Sequence, residues 1–130
     1  MAAYEKADLD EIASHQWPHW IPIRHHFGIE TFGLNGYRRG AGENVVPEHD
    51  ESGSGAPELY FVASGHAAFT VAGEEVDAPA GTCVWVSDAS ARRSAEALAD
   101  DTLVLAIGAA APGRAYAPAG WDSHYLEADR

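Results

Sequence analysis

The chain has 130 residues, 46% of them hydrophobic, which suits one domain with a single core. Its 20 acidic residues against 8 basic ones give a formal net charge of −12. This charge argues against nucleic acid and anionic membranes as partners, because both attract basic patches. The single cysteine, Cys83, has no partner for a disulfide, and no apolar run approaches the roughly 20 residues that span a bilayer. We therefore expect a cytoplasmic protein.

The first 22 residues carry the helix signal of the chain. Residues 3–14 are predicted to form a short amphipathic helix, since Leu9 and Ile12 are three positions apart and share one face. The segment 17–22 contains two prolines, which remove backbone donors and favour extended conformations. We expect this segment to lie as an extended arm over the rest of the domain.

From residue 23 onward the pattern is typical of strands. The predicted strands span residues 29–38, 43–49, 59–63, 67–71, 74–77, 82–86, 91–97 and 102–107. The glycine-rich stretch 50–57 is predicted to be a loop. Many short strands with regular turn signals favour an all-β fold of the double-sheet barrel or sandwich type.

Three regions follow from this assignment. Residues 1–39 form the helix, the arm and the first strands, packed on the barrel. Residues 40–110 form the barrel core, and residues 111–130 form a C-terminal tail. We expect the tail to pack outside the barrel through Trp121 and Tyr125, because aromatic side chains bury a large apolar area.

Two spaced motifs in the barrel region carry a family resemblance. In the first, Glu58 is followed by six residues and then Gly65; the second runs from Gly81 through five mostly apolar residues. Their order over residues 40–110 resembles the cupin superfamily. The stretches 23–35, 48–51 and 91–94 further resemble small single-domain cupins of unassigned activity. The resemblance implies a double-stranded β-helix (jelly-roll) barrel, association as a homodimer, and a metal held by a glutamate with histidines.

The histidine set implied by the resemblance is incomplete in this chain. The first motif should offer two histidines one residue apart before the glutamate, but the sequence there has His49 alone. A third histidine should come about 11 residues after Gly81, at Arg92, and a guanidinium cannot ligate a metal. His49 and Glu58 are therefore the candidate ligands for a divalent Fe, Mn, Zn or Ni ion. Glu51 is a third candidate if the strand continues past His49.

Arg92 has two interpretations, and the sequence leaves both open. Its side chain is expected to point into the barrel, where it forms a buried pair with Glu58 or grips a carboxylate or phosphate of a ligand. The adjacent Arg93 is expected to face the opposite side, in solvent, because neighbouring residues of a strand alternate.

Aromatic residues of the strands are predicted to line the barrel. Tyr60, Phe69 and Trp85 are the candidates for this wall, and Tyr60 and Trp85 are candidate ligand-binding residues. Cys83 is predicted to be a small core residue, because its neighbours are apolar.

The sequence favours a cupin that binds a small molecule, anionic ligands included, in a pocket lined by His49, Glu58, Tyr60 and Arg92. One alternative is a metal-dependent enzyme of the oxygenase or isomerase type that uses His49 and Glu58. Another is an interaction module whose barrel is filled by its own side chains. Barrels of this type support many unrelated chemistries, so the fold does not choose among the three.

Overall fold

The computed structural model of the chain describes residues 2–118, which form two short helices and nine strands. The helices are α1 (Leu9–Ile12) and α2 (Ile23–Phe27). The strands are β1 (Trp20–Ile21), β2 (Gly33–Arg39), β3 (Asn44–His49), β4 (Glu58–Ser64), β5 (His66–Val71), β6 (Glu74–Pro79), β7 (Cys83–Val86), β8 (Arg93–Ala97) and β9 (Thr102–Gly108).

The strands form two antiparallel sheets that pack face to face. One sheet has five strands in the order β1-β2-β9-β4-β7, and the other has four in the order β3-β8-β5-β6. Their inner faces enclose the main hydrophobic core, in which the rings of Tyr60 and Phe69 lie 5.3 Å apart between centroids. The predicted all-β architecture of two packed sheets is confirmed.

The inner face follows from the alternation along each strand. In β8, Arg93, Ala95 and Ala97 are buried while the residues between them are more exposed. In β9, Val104 and Ala106 are buried in the same core. This period of two is the pattern that predicted the strands, because successive side chains of a strand point to opposite faces.

Both helices differ from the prediction. The predicted helix over residues 3–14 is reduced to α1, which begins after Asp8, where the side chains of Asp8 and Glu11 form a capping box. The strand signal assumed from residue 23 is wrong for α2, which ends at Gly28 in the left-handed conformation with φ of 68°. Local patterns of four or five residues are too short to define such elements reliably.

The helices cover the outer face of the five-stranded sheet. Ile12, Ile21 and Ile23 form a second buried cluster there, against the half-buried Leu34 and Leu105. The arm before β1 is fixed by backbone hydrogen bonds, including one from the amide of Ser14 to the carbonyl of Trp20 at 2.9 Å. The last two residues before Pro22 form β1, which pairs with β2 at the edge of the five-stranded sheet.

The start of the tail is pinned to the barrel by Tyr116. A Cβ atom on Gly33 would lie 2.5 Å from the hydroxyl oxygen of Tyr116, so the ring packs directly over Gly33 and would have to shift if this residue had a side chain. The predicted anchors Trp121 and Tyr125 lie outside the described residues. No helix within residues 2–118 is long and apolar enough to cross a membrane. The homodimer and the cytoplasmic location stay predictions.

A substitution at Gly65 tests the turn between β4 and β5, which the first motif predicts. It has φ of 75°, and an added Cβ would lie 2.6 Å from the Cα atom of Thr102. We expect Gly65→Ala to lower the free energy of unfolding by roughly 2–5 kcal/mol, since it combines a left-handed backbone with overpacking. Urea denaturation measures this change. Gly73→Ala is the matched control, because Gly73 has φ of 82° but no atom within 4 Å; an equal loss in both variants would contradict the prediction.

Candidate functional site

Three side chains of the types that can ligate a metal meet where β3 ends and β4 begins. Nε2 of His49 lies 3.1 Å from Oε1 of Glu51 and 3.7 Å from Oε1 of Glu58. One donor atom from each of the three residues lies within 4.8 Å of the others. We call His49, Glu51 and Glu58 the carboxylate–histidine cluster. It contains the two ligands predicted from the sequence and the third candidate, Glu51.

The backbone fixes the orientation of the His49 ring. Nδ1 lies 2.7 Å from the carbonyl oxygen of Pro47. Because a carbonyl only accepts, Nδ1 carries a hydrogen and donates it, and Nε2 faces the two carboxylates. Glu51 is positioned by a tight turn, in which the amide of Gly55 donates to the Glu51 carbonyl at 2.7 Å.

The two carboxylates also set the charge of His49. Burial alone lowers the pKa of His49, but hydrogen bonds with Glu51, Glu58 and the carbonyl of Pro47, together with the charge of Glu58, outweigh it and raise the pKa to about 10. At neutral pH the ring is therefore an imidazolium, and its Nε2 proton lies among the carboxylate oxygens.

Glu58 joins the cluster to the core. The Tyr60 hydroxyl donates to Oε1 of Glu58 and lies 3.5 Å from Nε2 of His49. Burial, followed by the charge of Glu58, raises the pKa of Tyr60, so the phenol keeps its proton and acts as a donor. Nη1 of Arg93 donates to the same Glu58 oxygen at 3.3 Å.

The structure reverses the orientations predicted for the two arginines. The side chain of Arg93 is fully buried, whereas that of Arg92 is 62% exposed and lies 3.3 Å from Glu48. The predicted buried pair with Glu58 therefore exists, but Arg93 forms it. Arg92 lines neither cavity described below, and its predicted inward position is wrong.

The register of β8 explains the error. The inward position was assigned to Arg92 because it lies 11 residues after Gly81, which assumes that the turn before β8 has the length found in the family motif. In this chain β8 begins at Arg93, which pairs with His49 across the sheet, so Arg93 takes the inner position. Nη2 of Arg93 also donates to the carbonyl of Asp88 at 3.3 Å, in a turn that Ser90 closes through hydrogen bonds to the Asp88 side chain.

Two predictions for β7 are also wrong. Trp85 is 56% exposed and Cys83 is exposed, because Val84 and Val86 are the inward-facing residues of this strand. Trp85 therefore does not line the barrel and borders neither cavity at the cluster. Tyr60, in contrast, is 1% exposed and reaches the cluster directly.

Two cavities border the cluster on different sides. The smaller, of about 30 Å³, has room for a few waters at most; Glu51, Glu58 and the tail residue Tyr116 form part of its wall. The larger, which we call the arm cavity, has a volume of about 200 Å³. It is lined by His19, Trp20, Tyr37, Arg39, Asn44, Val45, Pro47 and His49.

The arm cavity lies in the gap between the two sheets. β2 and β3 belong to different sheets and are not hydrogen-bonded to each other, and the arm carries His19 and Trp20 across this gap. The indole nitrogen of Trp20 donates to Oδ1 of Asn35 at 3.1 Å, which fixes the ring in the cavity wall. His49 is the residue shared by the arm cavity and the cluster.

Some features of the carboxylate–histidine cluster suit a divalent cation, and others oppose it. One imidazole nitrogen and two carboxylates fit iron, manganese or zinc, and the Nδ1 contact with Pro47 presents Nε2 as a ligand. Against this, the Arg93 guanidinium contacts Glu58 from a fully buried position. A metal would also have to displace the Nε2 proton of His49.

Comparisons with known proteins identify the fold. No family model matches the chain, and no curated protein matches it in sequence. A cupin protein from Bacteroides fragilis superposes with a TM-score of 0.67 at 20% identity, covering 91% of this chain and 93% of its own. A cupin-superfamily sugar phosphate isomerase from Silicibacter pomeroyi has a TM-score of 0.64 at 18% identity, with coverage of 83% and 77%.

A third similar structure is a predicted oxalate decarboxylase from Thermotoga maritima. It has a TM-score of 0.55 at 19% identity and covers 67% of this chain and 73% of its own. Together these structures show that this chain has the cupin fold, as the sequence motifs predict. At these identities the likeness concerns the fold and not the activity.

The proton on His49 predicts a pH dependence of stability. Because the pKa of His49 rises from 6.5 to about 10 on folding, its contribution is complete below pH 6.5 and is lost as the pH rises through 10. We expect the free energy of unfolding to fall between these values and the fall to be smaller in His49→Gln. Urea unfolding at pH 6 to 10 with a chelator present measures it. His26→Gln, which changes an exposed histidine, is the control and should keep the pH dependence of the wild type. If the free energy of unfolding falls with pH equally in His49→Gln and in the wild type, the proton that is lost does not belong to His49.

Proposed function

We propose that this chain is a single-domain cupin protein that binds a small molecule in the arm cavity, next to the carboxylate–histidine cluster. The arm cavity carries this proposal. Its volume of about 200 Å³ exceeds the about 150 Å³ that holds one benzene ring in an engineered protein cavity. Apolar and aromatic walls with a few polar groups are the usual form of a ligand site; such sites commonly have about 300–1,000 Å³, so this cavity suits a small ligand.

The cluster supplies a proton-transfer group at the wall of this cavity. His49 is shared between the two, and its Nε2 atom lies 3.1 Å from Oε1 of Glu51. A protonated histidine can act as a general acid and give a proton to a bound molecule. The Tyr60 hydroxyl, held by Glu58, keeps that carboxylate oriented. The site therefore supports binding with or without acid–base chemistry.

Several proteins with the same fold are described as acting on or holding small molecules. Besides the isomerase and the predicted decarboxylase, a Streptomyces protein was solved with uridine, at 17% identity to this chain and a TM-score of 0.50. Such names support a small-molecule site in general and not a particular ligand, since sites change while folds persist.

A cavity-filling variant tests the proposal. Val45 is 1% exposed and lines the arm cavity, so the larger ring of Val45→Phe can occupy the empty space. We expect wild-type protein to bind members of a fragment library in ligand-observed NMR, and Val45→Phe to lose these signals. Ligands at about 100 times their Kd should also stabilise the wild type by about 2.7 kcal/mol.

The control places the same ring elsewhere. Thr70→Phe changes an exposed residue of β5, away from the arm cavity. If Val45→Phe does not fold, His19→Trp narrows the same cavity from its more exposed side. Binding that survives in both cavity variants would place the ligand elsewhere and overturn the proposal.

A second candidate function is a divalent-metal site at the cluster. The observation that favours it is the set of three donor atoms within 4.8 Å. His49, Glu51 and Glu58 would hold the ion, and a bound metal would act as a Lewis acid toward an oxygen of the ligand. The buried cation of Arg93 weakens such a site, because like charges repel strongly where water is excluded.

Replacing this cation tests the metal site. Arg93 pairs with His49 across the sheet, so Arg93→His removes a positive charge and adds a nitrogen donor on the same face. We expect at least about tenfold tighter Zn²⁺ binding by calorimetry than in the wild type, a difference of about 1.4 kcal/mol. Glu51→Gln should weaken binding. Arg92→His is the matched control, because Arg92 is 62% exposed; equal gains in both histidine variants would reject the site.

A further inference from the structure

Apolar side chains cross the outer face of the five-stranded sheet in two rows. Tyr60 and Val62 of β4 are buried in the main core, so the residues that alternate with them point outward. The register of β9, β4 and β7 aligns these outward residues with their neighbours: Ile107, Leu59 and Trp85 in the first row, and Leu105, Phe61 and Cys83 in the second. Directly opposed residues of neighbouring strands lie about 5 Å apart, so each row is a continuous apolar stripe.

The two helices cover only part of this face. They lie over β2 and β9, where Leu105 packs against the second buried cluster. Leu59, Phe61 and Ile107 belong to neither of the two hydrophobic clusters found within residues 2–118. The uncovered residues, which we call the outer patch, are Leu59, Phe61, Cys83, Trp85 and Ile107.

The outer patch exposes contiguous apolar surface to water. Trp85 is 56% exposed, which leaves roughly 140 Å² of a side chain of about 250 Å² in water. Cys83 beside it is exposed, and Leu59, Phe61 and Ile107 are half-buried. The patch therefore comes to roughly 300 Å², a size at which the largest apolar patch of a monomer is often functional.

The chemistry of the outer patch selects an apolar partner. None of its five residues carries a charge, whereas the whole chain has a formal net charge of −12. A basic group placed on the patch would lose its hydration and meet no carboxylate there. The surface that fits the patch is therefore one with an apolar centre and a polar rim.

The outer patch is complementary to a second copy of itself. Its large side chains Leu59 and Trp85 lie toward one end of the paired strands, and the small, exposed Ala63 lies toward the other. Phe61 and Cys83 lie between these ends. A two-fold axis in the interface, perpendicular to the strands, places the large end of one copy over the small end of the other. The same axis brings the two Cys83 side chains near each other.

We infer that the outer patch is a self-association interface, at which two copies of this chain pack face to face through β4 and β7. The patch forms the apolar core of the interface. Polar residues around it form the rim that extends the buried area toward the roughly 800 Å² per partner of a standard complex. No residue of the patch lines the arm cavity or the smaller cavity, so this inference is independent of the proposed function.

Analytical ultracentrifugation of the full chain tests the inference. We expect a monomer–dimer equilibrium with a Kd of about 1–100 µM, since a small apolar core gives a modest affinity. Raising the salt concentration should tighten the dimer, because salt screens the repulsion between two chains that each carry a formal charge of −12. A chain that stays monomeric at about 500 µM leaves the patch to another partner and overturns the inference. A dimer that salt weakens would also overturn it.

A charged residue at position 85 assigns the association to the outer patch. Trp85 is 56% exposed, so Trp85→Lys leaves the core intact but places a charge in the interface. We expect the Kd of the dimer to rise at least about tenfold. Leu98→Lys is the matched control, because Leu98 is 47% exposed but follows β8, outside the patch. Equal weakening in both variants would reject the assignment.

Cross-linking gives a second measurement on the wild-type chain. Cys83 is the single cysteine of the sequence, so a short bis-maleimide joins two copies through Cys83 alone. We expect covalent dimers in the wild type and at least about tenfold slower cross-linking in Trp85→Lys. A mono-maleimide checks that Cys83 itself reacts equally fast in both proteins. A dimer that sediments as such but does not cross-link would place the interface elsewhere and overturn the inference.

Discussion

Burial of the Arg93 guanidinium requires a carboxylate partner, and Glu58 supplies it at 3.3 Å. The pair joins the two sheets, because Arg93 belongs to β8 and Glu58 to β4. Removing one partner of a buried pair leaves an uncompensated charge, which typically costs about 3–5 kcal/mol. Arg93 and Glu58 are therefore fixed by the fold, and the chemistry of the site has to accommodate them.

The same pair determines what the cluster can bind. Glu51 and Glu58 bring two negative charges, and Arg93 together with protonated His49 brings two positive ones, so the network is neutral without any added ion. A divalent cation would compete with both the His49 proton and the guanidinium. This balance is why we place small-molecule binding before a metal centre, although the donor atoms suit either.

The sequence predicts the strands well and the inward-facing residues less well. The sequence pattern predicts eight of the nine strands, β2 to β9, near their observed positions, because half-buried strands show a period of two. It failed at Arg92 and Arg93, since the turn before β8 shifts the register by one residue, and one residue reverses the side. The register of β3 against β8 is also irregular between Val46 and His49. Composition alone cannot locate such irregularities.

Long-range packing accounts for the remaining differences. The arm cavity depends on Trp20 meeting β2 and β3 across a gap between sheets, and no local pattern in the sequence marks that contact. The candidate residues His49, Glu58 and Tyr60 were accessible to prediction, because a spaced motif and strand alternation identify them.

The two cavities give the cluster separate routes of access for molecules of different size. On the side covered by Tyr116, about 30 Å³ of space adjoins Glu51 and Glu58, which suits water. On the side covered by the arm, about 200 Å³ adjoins His49, which suits a ring. If the proposed ligand occupies the arm cavity, the carboxylates would still be able to exchange a proton with water on the opposite side. Because Tyr116 packs on Gly33 and forms part of the wall of the smaller cavity, its side chain limits the space that is open to water on this side.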